Sequence, residues 1–324
     1  MRTSLSRLLA LLACLTLLVS VTALSGGSAH AQTRSRLPAK AYAQILPRKT
    51  PGVRPYASAP PYTISYYESS TAYQTLQSQG CSAAKGPSGL IVLDFGQPDY
   101  INSTYGTYDF GGNFDSNDAI FHAVANFAYG AWNCRISSTN LAVAIGTSNY
   151  YTGLAANTST WYTAGQDWGN LINNEQNYIS SSGYSSIIGI YGADDIEVEW
   201  ASYSLSSNFV DGYNNASSRL FFDYGDASPG YWTSYQLWYV AYGATDNLAL
   251  PEIYYNADAT QDWEPLSVWA CNNEGGPIIF KGTMAEPSDT ANSPAQAWTA
   301  MYNAMGSNSC TASVRSYLIF STSI

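Results

Sequence analysis

Residues 89–94 read Gly89-Leu-Ile-Val-Leu-Asp94, an unbroken apolar run that ends on a carboxylate. A strand with one wet face alternates apolar and polar residues, whereas a strand covered on both faces is apolar throughout. The run therefore predicts a central strand of a parallel sheet. The same character returns at Leu141-Ala-Val-Ala-Ile145 and Ile187-Ile-Gly-Ile-Tyr191, and more weakly at Arg219-Leu-Phe-Phe-Asp223, Leu248-Ala-Leu-Pro-Glu252 and Pro277-Ile-Ile-Phe-Lys-Gly282. Between these runs lie patterns of helical period. Ile120, Phe121, Val124, Phe127, Ala128 and Ala131 recur at three and four behind a capping Ser116 or Asn117, which predicts a helix to Trp132. Residues 161–180 form a second such pattern, and 204–213, 232–242, 260–270 and 294–305 are shorter ones. Strand and helix alternate. The fold class is α/β with right-handed crossovers, and a (β/α) TIM-like barrel with irregular or missing units is preferred to an open sheet.

Composition fixes the setting. The chain has 324 residues, 46% hydrophobic and only 11% charged, which is too apolar for disorder and too poor in charge for a coiled coil. Thirteen basic residues against 23 acidic ones give a net charge of −10, so nucleic acid is not an expected partner. Arg2 and Arg7, an apolar run to Leu24 and the Ala29-His-Ala31 site predict a secretory signal peptide over 1–31 and a secreted, extracellular protein. A retained anchor and lipidation at Cys14 are the alternatives. No other stretch is long and apolar enough to span a bilayer, so no integral membrane segment is expected after signal removal.

Residues 32–61 hold Arg34, Arg36, Lys40, Arg48, Lys49 and Arg54 among six prolines and no acid, and read as a basic, Pro-rich linker or pro-segment. A solvated spacer is the plainest role for it, with tethering to an anionic envelope polymer or docking on the acidic domain as alternatives. Residues 62–324 form the barrel domain, expected as a monomer. The mature chain keeps Cys81, Cys134, Cys271 and Cys310, an even number for an exported protein. Of three connectivities, Cys81–Cys134 and Cys271–Cys310 are preferred because each closes the shorter loop.

The densest chemistry is Tyr191-Gly-Ala-Asp-Asp-Ile-Glu-Val-Glu-Trp200, with four acids in six residues. Extended backbone places Asp195, Glu197 and Glu199 on one face and Asp194, Ile196 and Val198 on the other. Like charges crowd at a cost that a site can require, and the carboxyl ends of barrel strands are where catalytic groups gather. Asp94, Asp223 and Glu252 end other expected strands and would bring further acids to the same mouth. A glycosidase needs one protonated and one ionised carboxyl, so the expected catalytic residues are Glu197 as general acid, with Asp195 and Asp94 as base, nucleophile or orienting groups. Asp194, Glu199, Trp200, Asp223, Glu252 and Tyr254 are the expected substrate-binding residues. Tyr191, Tyr224, Tyr255, Tyr100, Tyr105 and Tyr108 could stack on sugar rings.

The Gly89-to-Gly96 opening and the Asp194-Asp195-Ile196-Glu197 strand end resemble the first-strand Asp and the Asp-x-Glu strand end of family 25 muramidases and family 18 chitinases. The whole chain is similar to secreted bacterial proteins. The resemblance implies a barrel glycoside hydrolase that cleaves an amino-sugar polymer such as peptidoglycan or chitin. A secreted glycoside hydrolase on a cell-wall or environmental polysaccharide is thus the expected function, and a non-catalytic secreted carbohydrate-binding or surface protein on the same scaffold is the alternative. No cofactor or metal is expected. A calcium site lacks the EF-hand ligand series, and His122 is the single histidine of the mature chain, which excludes a two-histidine zinc site. In a capping role Asp194 and Asp195 would instead hold the next segment, with Glu197 and Glu199 on a solvated face.

Overall fold

The computed structural model describes residues 58–150, 153–286 and 292–324. The expected signal segment and most of the basic segment lie outside the described residues. Strand β1 is Thr63–Ile64, continued after Ser65 by Tyr66–Tyr67. It is followed by β2 (Gly89–Asp94), β3 (Leu141–Ser148), β4 (Ile188–Asp195), β5 (Phe221–Asp223), β6 (Asn247–Ala249), β7 (Gly282–Ala285) and β8 (Phe320–Ser323). Every pairing among them is parallel and joins sequence neighbours, and the first half of β1 returns to pair with β8. A bridge between Glu252 and Met284 joins the end of β6 to β7. The ring is closed, so the α/β barrel expected from the sequence is the observed fold.

Closure at β1 turns on Ser65. Its N–H donates to the Ser323 carbonyl at 2.6 Å, while its Oγ accepts the Val92 N–H at 2.8 Å and lies 2.7 Å from Thr322 Oγ1. One residue thus hands the strand from β8 to β2.

Alternation along the strands sets two apolar surfaces. Leu90, Val92, Ala142, Ala144, Tyr191, Ala193, Phe222, Leu248 and Met284 fill the barrel interior. Ile91, Leu93, Val143, Ile145, Ile190 and Phe221 pack outward against the helices. Each fully buried Leu, Ile or Phe contributes about 1.5–3 kcal/mol, which is why these strands are apolar on both faces.

The helices are α1 (Tyr73–Lys85), α2 (Asn117–Cys134), α3 (Thr158–Ser181), α4 (Tyr203–Ala216), α5 (Ser234–Trp238), α6 (Glu264–Asn273) and α7 (Pro294–Met305). Ser116 caps α2 by accepting the Ala119 N–H at 3.2 Å, as its position in the sequence predicts. Wide turns over Tyr239–Gly243 and Asp258–Trp263 extend α5 and precede α6. An antiparallel meander, Gln97–Ile101, Thr104–Tyr108 and Phe114–Ser116, is inserted between β2 and α2 at the carboxyl end of the barrel. Residues 277–281 are not strand as expected: Pro277 has no N–H for a ladder, and the Ile278 N–H goes to Ser267 Oγ on α6 at 3.0 Å. No helix among the described residues is long and apolar enough to cross a membrane.

The helices pack in close pairs. A Cβ on Gly80 of α1 would lie 1.9 Å from the Phe127 carbonyl oxygen of α2, and one on Gly130 of α2 would lie 2.0 Å from the Gln77 carbonyl oxygen. Gly165 of α3 and Gly212 of α4 meet the opposite backbone in the same reciprocal way. Cys81–Cys134 fastens the first pair, and Cys271–Cys310 ties α6 to the turn after α7, which is the connectivity preferred from the sequence. Gly80→Ala must push two backbones apart, and the expected loss is about 1–3 kcal/mol in urea unfolding, the usual cost of overpacking.

Candidate active site

Because the strands are parallel, all of their carboxyl ends open on one face. Alternation carries the interior set Leu90, Val92, Ala144, Ala193, Phe222 and Leu250 upward to Tyr67, Asp94, Ser148, Asp195, Tyr224, Glu252 and Glu286. Glu197 lies two residues beyond Asp195, on the same side of the chain. An oxygen each from Asp195, Glu197 and Glu252 lies within 4.8 Å of the others. Asp195 and Glu252 are 5% and 6% exposed, Glu197 is half-buried, and Glu199 is exposed. Asn149, just after β3, holds Glu197 from the backbone: its Oδ1 accepts the Glu197 N–H at 2.9 Å and its Nδ2 donates to the Glu197 carbonyl at 2.8 Å.

These carboxyls share protons. Glu197 is hydrogen-bonded to Glu252, and burial, with the charges of Glu252 and Asp226 beside it, pushes the Glu197 carboxyl up to about 10. Burial also raises Glu252, to about 8, but hydrogen bonds from the Tyr254 hydroxyl and from Glu197 pull it back. Of the two, Glu252 is therefore the first to ionise and Glu197 keeps the last proton of the pair. Burial and the nearby Glu252 and Glu197 charges hold Asp195 well above the carboxylate range. Burial takes Asp94 to about 7, eased by the Gly96 N–H and the Tyr224 hydroxyl.

The structure separates the expected site residues into groups. Glu197, Asp195, Asp94 and Glu252 meet in the mouth, with Tyr254 bonded to Glu252. Asp194 and Asp223 do not join them. They sit opposite each other on β4 and β5 with side chains on the helix side of the wall, both 1% exposed, because Ala193, Asp195, Phe222 and Tyr224 take the inward positions. Glu199 approaches Glu197 and Asp226 within 4.8 Å at the rim. Tyr191 and Tyr224 are buried in the wall and offer no stacking surface.

Trp200 stands on the rim against Tyr150, rings 5.5 Å apart and both exposed. Across the mouth, exposed Phe110 packs on Tyr67 at 4.6 Å, and Tyr67 lies close enough to Asp195, Glu252, Glu286 and Asp94 for their charges to raise its hydroxyl after burial has done so. Tyr67, Phe110, Tyr150, Asn149, Ser148 and Glu286 are not evident from sequence. Ser148 and Asn149 lie three and four residues past the end of the run Leu141–Ile145, so extending the alternation of that strand would find Ser148; Tyr67 and Phe110 lie in segments with no apolar run. Three carboxylates this close could share a hard cation, but the Glu197–Glu252 and Tyr254–Glu252 hydrogen bonds occupy oxygens that it would need.

No family model matches the chain, and no curated protein matches it. Among solved structures it is similar to a sugar phosphate isomerase/epimerase from Parabacteroides distasonis, with 10% identity over 83% of this chain and 88% of that one and a TM-score of 0.43. It is also similar to a mannanase from Bacillus subtilis, with 12% identity over 84% of this chain and 81% of that one and a TM-score of 0.46.

An unfolded glutamate releases its proton near pH ~4.3, whereas folded Glu197 keeps it to about 10. Between those values the unfolded chain binds fewer protons, so stability falls as pH rises. Glu197→Gln removes this penalty. Relative to the parent it should melt about 2–4 °C higher at pH 8, the shift that roughly 1 kcal/mol produces in a domain of this size, and no higher near pH 4.

Proposed function

We propose that the protein is a secreted glycoside hydrolase acting on a polysaccharide with retention of configuration. The observation that carries the reading is the hydrogen-bonded Glu197–Glu252 pair with Asp195 within 4.8 Å of both. Glu197 is the general acid, protonated at neutral pH by its surroundings. Glu252, the carboxyl of the pair that gives up its proton first, at about 8, and is steadied by the Tyr254 hydroxyl, is the nucleophile, a role the sequence reading gives to Asp195 or Asp94. Glu197 gives its proton to the glycosidic oxygen as the bond from that oxygen to the anomeric carbon breaks, and a Glu252 oxygen forms an ester with the carbon. Glu197, now a carboxylate, takes a proton from water, whose oxygen displaces Glu252 and restores both groups. Inversion needs room for a water between the carboxyls, about 6.5–9.5 Å, and retention about 5–5.5 Å, so this hydrogen-bonded pair lies nearer the retaining separation and parts slightly when a sugar enters between its members. The aromatic pairs Tyr67–Phe110 and Tyr150–Trp200 flank the carboxyls where sugar rings on either side of the cleaved bond would stack. Two disulfides and the signal-like leader support export.

A carbohydrate-binding protein without turnover is the second reading, favoured by the low exposure of Asp195 and Glu252, 5% and 6%. Reducing-sugar release from peptidoglycan, chitin, mannan and β-glucan decides between them. Turnover on one polymer that falls by roughly 10²–10⁴-fold in Glu197→Gln is the expected outcome. Retention of the protein on a polymer without release would establish the binding module. Proton NMR of the first product should show the anomeric configuration of the substrate; the opposite anomer would remove Glu252 as nucleophile.

A further inference from the structure

All five lysines and arginines of the described residues lie at the end of a helix or on the connection from a helix into the next strand: Lys85 closes α1 before β2, and Arg135 precedes β3, Arg219 β5, Lys281 β7 and Arg315 β8. In a parallel barrel these connections share the amino-terminal face. The opposite face carries Asp94, Asp195, Glu197, Glu252 and Glu286 with no cation among them. The barrel is therefore electrically polar along its axis, with its negative end at the mouth.

Within the mouth, three buried acceptors have no hydrogen-bond partner: Asp94 Oδ2, Ser148 Oγ and Asp195 Oδ1. The residues are 1%, 3% and 5% exposed. They belong to the adjacent strands β2, β3 and β4, where Asp94 is opposite Gly146 and Ser148 opposite Asp195. Alternation turns all three inward. A buried acceptor left unmatched costs roughly 1–3 kcal/mol, and an alkylammonium brings three donors and one positive charge. Glu197 and Glu252, already matched to each other and to Tyr254, are free of this task.

Resting on the glycoside hydrolase reading, we propose that the substrate is a cationic amino-sugar polymer whose free amine is held by Asp94, Ser148 and Asp195. A neutral or N-acetylated sugar brings no positive charge to these two carboxyls. An ammonium ion supplies one, and it lets Asp94 and Asp195 ionise without disturbing the proton on Glu197. The field of the whole barrel draws such a polymer to the mouth and repels anionic polymers, an effect that weakens as salt rises.

The test compares glucosamine oligomers with N-acetylglucosamine oligomers of equal length and with neutral mannan and β-glucan, by calorimetric binding and by reducing-end release. Glucosamine oligomers should bind and turn over at least about tenfold better, with the preference reduced by 0.5 M salt. Asp94→Asn and Ser148→Ala, both close in shape to the parent, should each raise KM on glucosamine oligomers more than they lower kcat. Release from mannan, β-glucan or N-acetylated oligomers with no preference for the amine would overturn the substrate while leaving the hydrolase. Tight binding of glucosamine oligomers without release from any polymer would overturn the hydrolase and keep the amine site. Calcium or manganese alone binding in calorimetry, and displacing glucosamine, would overturn the proposal in favour of a metal.

Discussion

Carboxyl groups crowded into a space too small for all of them to ionise are the constraint on which the rest of the molecule turns. Each barrel strand has one inward position at its carboxyl end, and four of those positions, with Glu197 beyond β4, are acids. In water they would repel; in a wall of Tyr67, Tyr224 and Tyr254 they exchange charge for shared protons. Stability and chemistry are then coupled. In the proposed hydrolase, the proton that lets Glu197 persist beside Glu252 is the one that acid catalysis would deliver.

The scaffold is what keeps the cluster in register. Tight reciprocal contacts at Gly80 with Gly130 and Gly165 with Gly212 join α1 to α2 and α3 to α4, whose buried faces pack on β2 to β4, the side of the barrel that presents Asp94, Ser148 and Asp195. On the far side β5, β6 and β7 are short, α5 and α6 adjoin wide turns, and a single bridge at Glu252 joins β6 to β7. Glu252 is therefore both a site residue and part of the closing seam.

The central strands were legible because burial on both faces leaves an apolar run that nothing polar interrupts, as in Leu141–Ile145. β8 was not: Phe320-Ser-Thr-Ser323 is mostly hydroxyl side chains, and these bond within the wall, as Thr322 does with Ser65. α1 escaped for a related reason, since only Leu76, Gly80 and Ala84 of Tyr73–Lys85 are buried and two of these are too small to mark an apolar stripe. In the site, Asp195, Glu197 and Asp94 followed from strand ends and alternation. The same alternation turns Asp194 and Asp223 away, and only pairing of β4 with β5 reveals that they face each other. The partnership of Glu197 with Glu252 spans 55 residues of sequence and was invisible without the ring that brings β4 and β6 to one mouth.

The chain enters β1 from the amino-terminal face, the end opposite the acids, with Ala59 packed against the outer cluster around α7. Residue 58 is consequently at the back of the barrel, away from the mouth. An anchor, a fusion partner or an affinity resin attached there would display the molecule with its mouth turned outward, toward whatever diffuses past rather than toward the support that holds it.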